Sequence, residues 1–173
     1  MDIKQYIASI PGFPKEGIMF RDVTPILENP ECFAYATKQI SDFVKEVGAD
    51  VIVGPESRGF WFGIPVAMEC KLPFAPVRKP GKLPRKTISE SYALEYGTDT
   101  LQMHYDAIKP GQKVVIVDDL LATGGTVEAI VKMITKMGGT VTGIAFVIEL
   151  DDLKGIEKFK GIKTLSLTHY EGE

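Results

Sequence analysis

Residues 113–118, KVVIVD, set four consecutive apolar β-formers, Val114–Val117, directly before a pair of aspartates, Asp118 and Asp119. An unbroken apolar run of this length reads as a strand buried on both faces, and such strands belong to parallel sheets covered by helices on each side. The rest of the chain follows the same rhythm. DVIVG (50–54), PFAPV (73–77), TVTGIAFVIEL (140–150) and KTLSL (163–167) read as further strands. Between them, Phe33, Ala36, Ile40, Phe43, Val44 and Val47 recur at helical spacing, with Asn29 as N-cap, Pro30 in the first turn and Gly48 as the stop. GFWFGIPVAMECK (59–71) reads as a largely buried helix, weakened by Gly63 and Pro65, and residues 124–137 as an amphipathic helix ending at Gly138–Gly139. Strands alternating with helices predict an α/β fold with a mostly parallel central sheet flanked by helices. In such sheets ligands bind beyond the carboxyl ends of the strands, where the aspartates stand.

Outside that core, residues 2–8 predict a short helix, after which Pro11, Gly12, Pro14 and Gly17 break the chain. Residues 78–91 are turn-rich and basic. SYALEYG (91–97) and DTLQMHY (99–105) alternate and predict a hairpin through Gly97, and Asp151 is placed to cap a short last helix. A length of 173 residues predicts one domain, 1–173. The net charge of −3 excludes a general polyanion binder. Cys32 and Cys70 are too few for a disulfide framework or a zinc site, so both are expected as reduced thiols in a cytoplasmic protein. The first residues, MDIKQYIASIPGF, carry no long apolar run of the signal-peptide kind, and no stretch is long enough to predict a membrane span.

The loop after Asp119 carries the chemistry. In Ala122, Thr123, Gly124, Gly125 and Thr126, two glycines open backbone angles that let N–H groups converge, and two hydroxyls add donors. The helix that begins there brings its positive end, typically worth about 0.3–1 kcal/mol to an anion. The loop lacks both the G-x-x-x-x-G-K-[ST] and the G-x-G-x-x-G patterns. A phosphate cradle beside two carboxylates suits a ligand with a phosphate and, a few ångströms away, vicinal hydroxyls, as in a ribose 5-phosphate. Carboxylates accept hydrogen bonds from hydroxyls and hold Mg²⁺ through water. The residues alone also allow a plainer alternative, in which the aspartates cap the loop and the glycines only make a turn.

The string VVIVDDLLATGGT resembles the phosphoribosyl-pyrophosphate motif of the type I phosphoribosyltransferases. That resemblance implies the type I phosphoribosyltransferase fold with a flexible hood or lid loop. It places Asp118 and Asp119 at the ribose and Ala122–Thr126 at the 5-phosphate. GPESRGF (54–60) turns sharply into a helix; on its own it is a helix start or a set of N–H groups converging on an anion beside Arg58. In the family this loop binds the pyrophosphate, often through a strained non-proline peptide bond, which implies that role for Glu56, Ser57, Arg58 and Gly59. RKPGKLPRK (78–86) holds five basic residues and no acidic one. It reads as a solvated loop or as a lid over a departing anion. Similarity to the family's flexible loop puts Arg78, Lys79 and Lys82 at the pyrophosphate, together with Tyr96, in a lid of about residues 78–97.

ALEYG (93–97) places Glu95 in an alternating stretch, where an exposed strand carboxylate is the plain alternative. In the adenine-using branch of the family the matching glutamate lies on the hood near the base, which implies Glu95 as the catalytic carboxylate, either accepting a proton or stabilising a protonated purine. GIMFRDVTPIL (17–27) offers Phe20 as a stacking face or as core, with Arg21 and the Met19 backbone for a ring edge. It is similar to that branch's adenine-binding segment, here about residues 11–27. VIELDDLKG (147–155) is similar to the second wall of the base pocket, with Leu150 on the opposite face. The resemblance spans about residues 11–155. It implies adenine and 5-phosphoribosyl 1-pyrophosphate as substrates, AMP and pyrophosphate as products, purine salvage, Mg²⁺ as cofactor without a direct protein ligand, and a homodimer. Two alternatives stay open at this level: transfer to another base, and a non-catalytic sensor of phosphoribosyl pyrophosphate or a purine. No nucleic-acid or membrane partner is expected, and His104 and His169 have no assigned role.

Overall fold

The structure, a computed structural model, describes residues 1–94 and 96–172. After a 3₁₀ turn over Ile3–Tyr6, β1 (Ala8–Pro11) and β2 (Met19–Asp22) pair antiparallel, Ser9 opposite Arg21 and Ile10 opposite Phe20. This ribbon is absent from the expectations above. Each strand has four residues, too few for a period to register, and the prolines and glycines between them form the turn. The short α1 (Thr24–Glu28) leads into α2 (Pro30–Val47). Asn29 caps α2 as expected, its Oδ1 accepting the Cys32 N–H at 2.9 Å, and Gly48 ends it.

Next come β3 (Val51–Pro55), α3 (Arg58–Cys70), which runs through Pro65, and β4 (Phe74–Val77). The hairpin forms from β5 (Thr87–Ala93) and β6 (Thr98–His104). It starts earlier than its alternation shows, so Thr87–Ser91 belong to a strand rather than to the basic loop. β7 (Lys113–Leu121), α4 (Gly125–Lys136), β8 (Thr140–Leu150) and β9 (Lys163–Tyr170) complete the core. Between β8 and β9 the single expected helix is replaced by two 3₁₀ turns, Asp151–Leu153 and Gly155–Phe159, divided at Lys154, whose φ of 54° breaks the helical path.

The five-stranded sheet has the order β4-β3-β7-β8-β9, with every pair parallel. Side-chain alternation sends the two faces of each strand into separate cores. Ile52, Val115, Val117, Ala145 and Val147 meet Ala36, Ile40, Val44, Phe62 and Val66 of α2 and α3. Val53, Val114, Ile116, Ile144 and Phe146 meet Ile130, Met133 and Ile134 of α4 and Leu101 and Met103 of the hairpin. The chain moves outward from β3 to β4, then returns to the other side of β3 to lay down β7. That reversal puts the topological switch between β3 and β7, so the crevice for a ligand opens at the carboxyl ends of those two strands.

Candidate active site

Two loops flank the switch point, one after β3 and one after β7, and together they wall a cavity of about 740 Å³. β7 continues through Asp118 and Asp119, which are 9% and 3% exposed. Strand geometry separates their roles. Asp119 Oδ2 lies 3.1 Å from Arg58 Nε, whereas Asp118 Oδ1 accepts the Asp119 N–H at 2.8 Å. The Arg58 N–H is not aimed along that short vector, so Asp119 Oδ2 stays buried without a hydrogen bond among the described residues. Burial pushes the Asp118 carboxyl well above the usual carboxylate range; the charge of Asp119 adds to this, and Arg58 only partly opposes it.

Beyond the aspartates, Ala122–Thr126 all line the same cavity. Gly124 takes φ 88°, a left-handed turn that other residues rarely adopt, and becomes the N-cap position of α4. The first-turn N–H groups of α4 are thereby turned toward the loop. The Thr126 hydroxyl is already engaged: it donates to Tyr92 Oη at 3.2 Å, and Tyr92 in turn donates to Asp99 at 3.3 Å. Tyr92 thus ties the hairpin to the start of α4 beside the glycine loop.

Across the crevice, Glu56, Arg58 and Lys79 line the wall, and the Glu56–Ser57 peptide is cis. Burial alone would raise the Glu56 carboxyl, but the Lys79 N–H at 2.8 Å and Arg78 Nε at 3.1 Å more than offset it and hold it below the usual range. Arg78 is therefore paired with Glu56, and Lys79 Nζ lies 3.7 Å from Asp99. Ser57 and Gly59 sit at the junction with α3, Gly59 buried in its first turn. Lys82 and Tyr96 are apart from the cavity wall, Tyr96 at the hairpin tip and 87% exposed. Leu94, beside that tip, does line the cavity. Glu95 lies outside the described residues.

The N-terminal ribbon and α3 form a second, more apolar recess of about 420 Å³, walled by Ile10, Phe13, Phe20 and Trp61 together with Arg58. Phe13 packs edge-on to Phe20, and the Arg58 guanidinium stands 5.2 Å from the Phe20 ring centre. Arg58 borders both cavities, a position that its loop sequence does not disclose. Met19 is half-exposed. Arg21 points elsewhere: its guanidinium lies 3.9 Å over the Tyr170 ring and donates to Ser9. Leu150 lines neither cavity; it is the register partner of Tyr170 on β9 and packs at the margin of the α2–α3 core. Arg21 and Leu150 thus meet through Tyr170, a residue absent from the sequence-based site.

His169 also gains a setting. Its Nδ1 lies 2.7 Å from Asp151 and 3.9 Å from Glu149, and Ser166 donates to Glu149 at 2.7 Å. These residues lie at the carboxyl ends of β8 and β9, and only strand register joins them. Lys158, whose Nζ donates to the Thr123 carbonyl at 2.6 Å, is another wall residue that no local pattern marks.

The phosphoribosyl transferase domain family matches residues 22–166. Among solved structures, the adenine phosphoribosyltransferase of Thermoanaerobacter pseudethanolicus is 48% identical, covering 97% of this chain and 98% of its own, with a TM-score of 0.94. The Saccharomyces cerevisiae enzyme, solved with an imino-altritol bisphosphate and adenine, is 39% identical over 95% of this chain and 96% of its own, with a TM-score of 0.87. The Trypanosoma brucei enzyme, solved with AMP, pyrophosphate and ribose-5-phosphate, is 27% identical over 96% of this chain and 78% of its own, with a TM-score of 0.88. A crevice at the β3–β7 switch and near-complete coverage at 48% identity lead to one assignment: this chain belongs to the adenine phosphoribosyltransferases of the type I phosphoribosyltransferase family.

Proposed function

We propose that the chain forms AMP and pyrophosphate from adenine and 5-phosphoribosyl 1-pyrophosphate, as a step of purine salvage, in a single domain spanning residues 1–173. The observation that carries this reading is the shared wall of the larger cavity, in which Asp118 and Asp119 stand beside the Ala122–Thr126 cradle and face Glu56 and Arg58. Its size, about 740 Å³, suits a small-molecule substrate. The relatives solved with adenine and with AMP, pyrophosphate and ribose-5-phosphate support the same substrate parts.

In this reading Asp118 and Asp119 accept hydrogen bonds from the ribose hydroxyls, and the loop amides hold the 5-phosphate. C1 of the ribose gains positive character as its bond to pyrophosphate lengthens. N–H groups of Ser57, Arg58 and Gly59, and the cations Arg78, Lys79 and Lys82, receive the charge gathering on the leaving oxygens. Arg78 and Lys79 exchange their carboxylate partners to do so. Adenine stacks on Phe20 in the smaller recess, where Arg58 joins base and ribose sites. N9 attacks C1 from the face opposite the leaving group, and Glu95 takes the N9 proton or stabilises the protonated ring. The hairpin, with Tyr96 at its tip, excludes the water that would hydrolyse the activated sugar.

Asp119 Oδ2, buried without a hydrogen bond among the described residues, and Asp118 present the hard oxygens that suit a hydrated Mg²⁺. Bound with the diphosphate, that ion supplies charge neutralisation to the leaving group. A reducing cytoplasm suits Cys32 and Cys70, both free thiols. A homodimer is supported by the exposed Ile64 and Met68, which give α3 an apolar outer face.

The test is a rate comparison of adenine, hypoxanthine, guanine and orotate with phosphoribosyl pyrophosphate and Mg²⁺. AMP from adenine is expected to form fastest, and Glu95→Ala is expected to slow it by about 10²–10⁴-fold at an unchanged Tm. No AMP from adenine overturns the reading.

A further inference from the structure

Three cations line the larger cavity: Arg58, Lys79 and Lys158. Arg58 faces Asp119 at 3.1 Å, and Lys79 faces Asp99 at 3.7 Å. Lys158 has no carboxylate within ion-pair distance among the described residues; its partner is the Thr123 carbonyl, 2.6 Å away. The same wall carries Glu56, Asp99, Asp118, Asp119 and Glu128. A phosphate monoester entering this wall meets more anions than cations, and the cation free of an acidic partner stands at the phosphate loop.

Lys158 is also held in place rather than trailing from the surface. A Cβ at Gly124 would lie 3.1 Å from the Gly155 carbonyl oxygen and 3.3 Å from both Lys158 Cδ and the Phe159 ring. A Cβ at Gly155 would lie 3.0 Å from the Thr123 carbonyl carbon and would collide with the Ala122 carbonyl oxygen. The Gly155–Phe159 turn therefore seats directly on the phosphate loop. A loop that turns its N–H groups toward an anion must turn carbonyls away, and those carbonyls need donors. Lys158 supplies one for Thr123.

We infer that Lys158 is a further binding residue for the 5-phosphate, holding the Thr123 carbonyl away from the ligand and adding its charge to the cradle. This rests on the proposed function, since it presumes a phosphoribosyl ligand in the cavity. The residue lies 35 positions from its partner in the chain, on the turn that follows β8.

The test measures binding of AMP and of adenosine to the wild type, Lys158→Met, Lys158→Gln and Lys158→Arg by calorimetry, alongside KM values for both substrates. Lys158→Met is expected to weaken AMP by about tenfold or more, as for loss of a charge-assisted hydrogen bond, and to leave adenosine within about twofold. KM for phosphoribosyl pyrophosphate rises with it, and KM for adenine does not. Lys158→Arg restores most of the affinity for AMP. Lys158→Gln keeps a donor for the carbonyl but loses the charge, so it too is expected to weaken AMP selectively and to flatten the salt dependence of AMP binding. Equal losses for AMP and adenosine, or an unchanged AMP affinity in both neutral variants, overturn the inference. An active wild type with either result leaves the proposed function standing; a wild type that forms no AMP removes that function and this inference together.

Discussion

Asp118 shows how much of this site is decided one side chain at a time. Its carboxyl is 9% exposed, adjoins a second carboxylate, and is pushed well above the ordinary range, first by burial and then by Asp119. A folded-state pKa above the unfolded value means that the folded chain binds the proton more tightly. The associated stability is full below the unfolded carboxylate value and is lost as pH rises through the folded one. Asp118→Asn, which never ionises, is therefore expected to be more stable than the wild type at pH 8, with the gap closing as pH falls toward 4. Thermal melts at pH 4, 6 and 8 check this, and a gap that widens toward acid contradicts the assignment. Turnover of the same variant is expected to fall, so stability and activity move in opposite directions, as for groups strained into function. The sequence marks both aspartates, because an apolar strand ending in two acids is unusual. It marks Arg58 only beside an anion-binding loop, and does not show that the same side chain borders both cavities, because the second cavity is walled largely by residues 10–24, far away in the chain.

Among the elements, the hairpin β5–β6 is the one whose placement matters most for the proposed chemistry. It is secured to α4 through Thr126 and Tyr92, and through Lys136 on Glu90 at 2.7 Å. Tyr92→Phe keeps the ring against Gly125 and removes both hydroxyl contacts. Since a net hydrogen bond is worth about 0.5–1.5 kcal/mol, KM for phosphoribosyl pyrophosphate is expected to rise about twofold to tenfold, with KM for adenine little changed. Steady-state kinetics with each substrate varied in turn checks this; a matching rise for both points to a general loosening of the hairpin instead. Long periodic elements were legible from residue order: α2, with its Asn29 cap and Gly48 stop, and β8, over residues 140–150, fall where the pattern puts them. The β1–β2 ribbon was not, nor were the 3₁₀ turns after β8, because these short pieces take their shape from what they pack on.

At the scale of the whole molecule, the fold brings residues 56 and 118 to one crevice. If Mg²⁺ arrives with the diphosphate rather than in a site of the protein's own, a chelator is expected to abolish turnover and to leave the Tm of the ligand-free protein unchanged. A drop in Tm would instead assign a resident ion, and Glu149, Asp151 and His169, whose ligand atoms lie within 4.8 Å of one another, would be the place to seek it. What residue order alone determined is local: a buried strand, the acids at its end, a glycine loop able to cradle an anion, and the alternation that makes an α/β sheet. Those features follow from side-chain period and backbone freedom, which act over a few residues. Tertiary structure alone decided that β3 and β7 lie side by side, that Lys158 reaches Thr123, and that Tyr170 carries Arg21. Each of these joins residues dozens of positions apart, and strand order, register and packing select such pairs through the burial of whole faces rather than through any pattern along the chain.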